Sequence, residues 1–220
     1  MIVSCVFVRG NVPFTMDYVE RLRSMISRRL HQTHEFVLLT DQPGDAPRGM
    51  TVIRVPTPTT MPGWWSKLEV FNKRHGLRGP GLYLDLDVLV VGKLDEIAAQ
   101  NDRGRMSLIP HAGDWNGRGG LRVIKKYNSS VMRFRHEECF DLHDRWSPAV
   151  AGQLWGDQDW IGLTRPSEAT MPLEWFPRLS QIDCVKGLEA VPPEAKIVLC
   201  KKPKNHEAAQ RWRWFDRAWS

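Results

Sequence analysis

The chain has 220 residues, with 31 Lys and Arg against 25 Asp and Glu and a formal net charge of +6. That length holds one full α/β domain with a real core and disfavours two small ones. The charge suits an anionic partner such as a nucleotide, a phosphate, an acidic lipid surface or a nucleic acid, and selects none of them. No stretch of about 18 apolar residues occurs, and "MIVSCVFVRG" lacks a basic leader, so neither a membrane span nor a signal peptide is expected and the protein reads as cytoplasmic.

In chain order, "MIVSCVFV" is a buried-strand run, and "FTMDYVERLRSMISRRL" places Val19, Leu22, Ile26 and Leu30 at helical spacing, with Thr15 or Asp17 as a cap. "EFVLLT" and "MTVIRV" are two further strands, separated by the turn-rich "DQPGDAPRG". "WWSKLEVFNKR" predicts a short helix and "GLYLDLDVLVV" a central strand. Beyond residue 100 the pattern is less regular. "DWNGRGG" reads as a flexible loop, "YNSSVMRF" as a strand entered through a polar turn, and "GDQDWIGL" as a loop opening a short helix. "PPEAKIVLC" predicts a proline-led strand. The basic tail "KKPKNHEAAQRWRWFDRAWS" ends as an amphipathic helix, either packing Trp212, Phe215 and Trp219 on the domain or lying on an anionic membrane. Strand–helix alternation argues for α/β architecture: a mostly parallel central sheet with helices on both faces. Ligands of such sheets collect at the carboxyl ends of the strands. One domain over 1–220 is expected, in two parts at 1–100 and 101–205, followed by the basic helix at 206–220. Cys5, Cys139, Cys184 and Cys200 are scattered with no CxxC pair, so reduced thiols are the default. The ten tryptophans supply core or stacking surface.

The chemistry is concentrated in "LYLDLDVLVV". A carboxylate in a buried strand costs several kcal/mol unless something pairs it. Asp85 and Asp87 are two apart, so on an extended strand they share one face, and a strand ending there delivers both to the carboxyl edge of the sheet. Two close carboxylates raise each other's pKa unless a cation sits between them. A hard divalent ion removes that conflict and keeps open positions for phosphate oxygens. A solvated strand end with two capping aspartates is the plain alternative.

These residues resemble a known family. "WWSKLEVF…GPGLYLDLDVLVVGKLDE" is similar to the donor-binding core of GT-A fold nucleotide-sugar glycosyltransferases, in the branch containing glycogenin and the bacterial lipopolysaccharide galactosyltransferases. The matching motifs are Ser66-Lys67-Leu68, Asp85-Leu86-Asp87, Leu94-Asp95-Glu96, "YNSSVM" (127–132) and "GDQDWI" (156–161). The resemblance implies a transferase moving a hexose from a UDP-sugar or similar donor to a glycan, lipid or protein acceptor, with retention of configuration. It assigns Mn²⁺ or Mg²⁺ to Asp85 and Asp87, the diphosphate or sugar to Lys67, and the base to Thr40 and Asp41. Asn128 and Ser129 would bond donor sugar or ribose, Asp157 the sugar hydroxyls, and Gln158 would face the anomeric carbon.

Each of these also has an ordinary role: Asn128 and Ser129 as turn residues, Asp157 and Asp159 as helix caps, Lys67 as a surface lysine. The family's late histidine ligand is replaced by Cys200, with His206 six residues on and Lys204 as a phosphate clamp. A non-catalytic nucleotide-sugar-binding protein is therefore one alternative. A haloacid-dehalogenase-type phosphatase is another, since "LYLDLDV" also fits its motif, although three strand patterns precede it here. No nucleic-acid partner is expected, because the basic residues are spread rather than striped. Peripheral contact with a membrane through the tail remains the alternative for the C-terminus.

Overall fold

The computed structural model describes residues 1–10, 14–56, 61, 63–100, 105–111, 114–116, 122–124, 126–182, 190–200 and 218–219. Strands β1 (Ile2–Phe7), β2 (Glu35–Thr40), β3 (Thr51–Arg54) and β4 (Pro80–Leu84) come first, with helix α1 (Met16–Arg29) between β1 and β2. A tight 3₁₀ helix, Gly63–Phe71, leads towards β4. After β4 come β5 (Val88–Val90), α2 (Asp95–Ala98), β6 (Ser107–Pro110), the pair β7 (Asp114–Asn116) and β8 (Arg122–Ile124), and the long β9 (Tyr127–Arg135). Helices α3 (Asp141–Asp144), α4 (Pro148–Ala151) and α5 (Asp157–Thr164) follow, then β10 (Ala169–Thr170) and β11 (Ile197–Leu199).

Seven strands form the main sheet in the order β10-β6-β9-β4-β1-β2-β3. Strands β4, β1, β2 and β3 run parallel, and β10 runs parallel to β6, while β9 is antiparallel to both β4 and β6. The apolar alternation within strands explains how the sheet is covered. In β2, Phe36 and Leu38 enter the core beneath α1, whereas Val37 and Leu39 enter a second core beneath the 63–71 helix and α5. Helices thus cover both faces, as the alternation predicted. Among the described residues no helix is long and apolar enough to cross a membrane.

Two expectations need correction. The run 81–91 is not one strand: β4 ends at Leu84, Leu86 and Asp87 form a turn, and β5 leaves the main sheet to pair antiparallel with β11. Asp85 and Asp87 therefore do not share the face of one extended strand. A buried ladder has no place for two carboxylates, so the chain turns where they occur. "DWNGRGG" is not wholly a loop, since its residues 114–116 are a strand paired with 122–124. In the tail, residues 201–217, including Trp212 and Phe215, lie outside the described residues. Trp219 is fully buried, its ring centroid 5.2 Å from that of Tyr18 on α1, and Arg28 donates to the Ala218 carbonyl. That end of the tail packs on the domain.

Candidate functional site

Parallel strands send their carboxyl ends to one edge, and an antiparallel strand sends its amino end there. This topology brings the end of β4 beside the start of β9, where Asp85 N–H donates to Ser130 O at 2.8 Å. In β4, Leu82 and Leu84 face α1 while Tyr83 faces the 63–71 helix. The next residue on Tyr83's side is Asp85, which meets Lys67.

Lys67 is the centre of the site. It is 7% exposed, and its Nζ lies 2.9 Å from Asp85 Oδ1, 3.1 Å from Asp157 Oδ2 and 3.0 Å from Ser129 Oγ. Tyr83 donates its hydroxyl to Asp85 Oδ1 at 2.8 Å, and Ser129 donates to Asp157 Oδ2. Burial alone would lower the lysine pKa, but Asp157 and Asp85 outweigh it, so the ammonium is held charged well above the ordinary lysine value. Burial and the charge of Asp85 likewise raise the Tyr83 phenol, keeping it a neutral donor. The surface-lysine alternative for Lys67 is overturned. A lysine inside a short helix stays buried here only because two carboxylates and a hydroxyl receive it.

Asp157 is the first residue of α5 and is 4% exposed. Asp159, fully buried, accepts the Trp155 N–H through Oδ2 at 2.9 Å, so Asp159 serves the start of α5 while Asp157 turns to Lys67 and Ser129. Gln158 lies half-buried between them. Asn128 accepts the Ser130 N–H through its side-chain oxygen, the local turn bond expected of asparagine.

Asp87 lies in the turn after Asp85, partly buried. Burial, then the charge of Asp85, push its carboxyl up to about 7, with Lys67 opposing. Cys200 follows β11 and is 1% exposed; burial and then the charge of Asp87 raise its thiol well above its ordinary value. A neutral thiol is a poor ligand for a hard cation. His206 and Lys204 lie outside the described residues. Among those described, no group of three or more His, Cys, Asp and Glu is gathered so as to hold a metal by itself. The Asp85–Asp87 pair fits a different mode, in which a hard divalent ion takes one or two carboxylates from the protein and its remaining oxygens from substrate phosphates. Asp85 and Asp157 put two carboxylates on one ammonium, and such a cation would offset the negative charge that Lys67 leaves.

Past the ends of β1 and β2, at another place along the same sheet edge, lies an open cavity of about 440 Å³. Phe7, Arg9, Phe14, Gln42 and Asp45 are among its lining residues. Thr40 is fully buried beneath it, its hydroxyl accepting the Gln42 N–H, and Asp41 accepts the Arg9 N–H at 3.1 Å. Both brace the cavity floor and rim. The lining residues escaped the sequence reading, although their position directly after the first two parallel strands marks where ligands of such sheets bind. Tyr83 was missed too; its spacing two before Asp85 was the available signal.

No protein-family model matches the sequence, and no curated protein does. Solved structures do. A galactosyltransferase, LgtC, solved in complex with donor and acceptor sugar analogues, matches with a TM-score of 0.60 at 12% identity, over 97% of this chain and 96% of that one. An active-site mutant of LgtC matches with a TM-score of 0.65 at 13% identity, over 99% and 95%. The apo form of the glycosyltransferase GlyE of Streptococcus pneumoniae TIGR4 matches with a TM-score of 0.58 at 14% identity, over 90% of this chain and 53% of that one. The fold is the GT-A fold.

Proposed function

We propose that the protein is a glycosyltransferase that moves a hexose from a UDP-sugar, or a similar nucleotide sugar, to an acceptor with the aid of Mn²⁺ or Mg²⁺. The observation that carries this reading is the buried Lys67 joining Asp85 to Asp157 at the carboxyl edge of a GT-A sheet, with a cavity at the ends of β1 and β2 on that same edge. The donor's base would occupy that cavity, with Phe7 and Phe14 offering apolar contact and Arg9, Gln42 and Asp45 polar groups. When bound between Asp85, Asp87 and the diphosphate, the cation would neutralise the leaving group as the glycosidic bond breaks.

The chain's own groups supply the rest. Lys67 fixes Asp85 and Asp157 in position and adds a constant positive charge beneath the diphosphate and sugar. Lys67 and Ser129 both engage Oδ2 of Asp157, so Oδ1 is the atom that would accept from a sugar hydroxyl. Gln158, half-buried beside it, would turn its amide oxygen towards the anomeric carbon and stabilise oxocarbenium-like charge. Retention of configuration is proposed on likeness to the glycogenin and galactosyltransferase branch.

Calorimetry with UDP and GDP, each with Mn²⁺ and with EDTA, tests the donor site. Metal-dependent UDP binding that is lost in Asp87→Asn is expected, followed by hydrolysis of one member of a UDP-sugar panel. Metal-independent binding, or none, would sink the proposal. Tight donor binding without turnover would favour a non-catalytic nucleotide-sugar-binding protein.

A further inference from the structure

The 63–71 helix is buried from Trp65 to Phe71, and even its polar residues Ser66, Lys67 and Glu69 lie inside. Trp64, at its start, is the exception. Its neighbour Trp65 is 5% exposed and packs by Trp146, whereas Trp64 leaves 54% of its surface open. A single exposed ring is ordinary on a protein surface; what sets Trp64 apart is what stands around it.

Two observations fix where the indole stands. In a 3₁₀ helix residues three apart eclipse, so Trp64 sits one turn before Lys67 on the same side. Independently, Gly156 lies against it: a Cβ built on that glycine would fall 2.8 Å from Trp64 Nε1 and 3.0 Å from Cδ1. Gly156 precedes Asp157, the carboxylate bound to Lys67. The indole is therefore held on the backbone of the α5 cap, next to the Lys67–Asp157–Ser129 cluster, with its remaining surface open.

We infer that Trp64 is a stacking platform for a pyranose ring at the mouth of the site. One face of a pyranose presents C–H groups that pack on an indole, while its rim presents hydroxyls that donate to a carboxylate such as Asp157. The pairing of an open apolar ring with a buried acceptor is the complement of that amphipathic ligand. A nucleobase has the matching flat face, but the cavity past β1 and β2 lies elsewhere along the edge. The inference rests on the transferase reading for its purpose and not for its test. The ring would belong either to the donor sugar or to the acceptor, and the experiment separates the two.

The measurement is a ¹H–¹⁵N titration of the full chain that follows the Trp64 indole N–H, assigned by its loss in Trp64→Phe. The probes are methyl glucopyranosides, methyl galactopyranosides, UDP with Mn²⁺, and the corresponding UDP-hexoses. A shift with a free pyranoside places the acceptor on Trp64; a shift with a UDP-hexose beyond that given by UDP places the donor sugar there. In either case Trp64→Ala, folded by thermal midpoint, binds the active probe roughly tenfold more weakly, and Trp64→Phe by no more than about threefold. A silent Trp64 across all probes, an equal response to UDP alone, or unchanged affinity in Trp64→Ala would overturn the inference. A pyranoside response without metal-dependent UDP binding would sink the transferase reading and keep this one. UDP binding with a silent Trp64 would do the reverse.

Discussion

The 63–71 helix carries two buried charges of opposite sign, and they behave differently. Glu69 is closed: His75 Nε2 lies 2.8 Å from its Oε2, Asn72 donates to the same oxygen at 2.9 Å, and His143 faces Oε1 at 3.7 Å. Burial works to raise its pKa, but His143, His75 and Asn72 outweigh it and hold the carboxyl well below the usual range. Lys67, two residues earlier and on another side of the helix, has the opposite balance, with two carboxylates on one cation and a third nearby. Glu69 is satisfied by its own chain and ties the helix to α3. At the Lys67 cluster two carboxylates, Asp85 and Asp157, share one ammonium among the described residues, at the open carboxyl edge of the sheet. Surplus charge at an opening distinguishes a site from a staple.

The largest expected effect tests the first half of that contrast. Lys67→Met leaves Asp85 and Asp157 buried without their cation, and should cost about 3–5 kcal/mol of stability. Urea denaturation measures it. A loss below about 1 kcal/mol would mean that solvent, not Lys67, neutralises the pair. Glu69→Gln should cost about 1.5–3 kcal/mol, as expected for hydrogen bonds to a charged group. Its sign with pH is set by the lowered pKa. The stabilisation is fully present above the unfolded value near 4.3 and is lost as the pH falls below it towards the folded one. Wild type should therefore lose stability in acid more steeply than Glu69→Gln, while nucleotide binding is the same in both. Parallel acid limbs would remove Glu69 from its staple role.

How much of this contrast was legible beforehand follows from how the signals arise. The parallel sheet was visible because "EFVLLT" and "MIVSCVFV" are near-continuous apolar runs bounded by turns. Strands β6 and β10 were not: "SLIP" and "AT" are too short to announce themselves, and it is pairing, of β6 with β9 and of β10 with β6, that makes them strands. Asp85, Asp157 and Ser129 were named from motifs and do converge. Their common partner, Lys67, was expected near the donor's phosphates or sugar; its seat between two aspartates went unread, because sequence spacing says nothing of contacts across 62 or 90 residues. Thr40 and Asp41 were named at the right edge, but the cavity wall belongs to residues just past β1 and β2, where no motif marks them. Glu69 carried no signal, since a glutamate inside "SKLEVF" reads as a solvated helix position until the helix is found buried.

Asp87→Asn sharpens the second half of the contrast. Burial and then the charge of Asp85 already push this carboxyl up to about 7, so the fold should tolerate a neutral side chain of the same size, whereas metal-dependent UDP affinity should fall at least tenfold, about 1.4 kcal/mol. The matched pair of melting and calorimetric measurements decides. A variant that melts far below wild type, or one that binds UDP with Mn²⁺ unchanged, would place Asp87 with the staples and not with the site.

The smallest effect on stability comes from Gly156→Ala, and its value lies in that smallness. A Cβ there falls within 2.8 Å of the Trp64 indole, an open side chain that can swing away, so the melting midpoint should move by less than about 1 kcal/mol equivalent. Gly92 is the contrasting control. Its Cβ would meet the Ala195 carbonyl oxygen at 2.3 Å, where the β5–β11 backbone has no such freedom, and Gly92→Ala should unfold far more readily. If Gly156 serves only α5, the alanine variant should keep the Trp64 response to sugars. If the glycine exists to seat the indole beside Asp157, that response should weaken several-fold while Lys67, Asp85 and metal-dependent UDP binding stay as they were. A stability loss as large as that of Gly92→Ala would mean that Trp64 is clamped by the fold, making it part of the structure and not a surface held ready for a ligand.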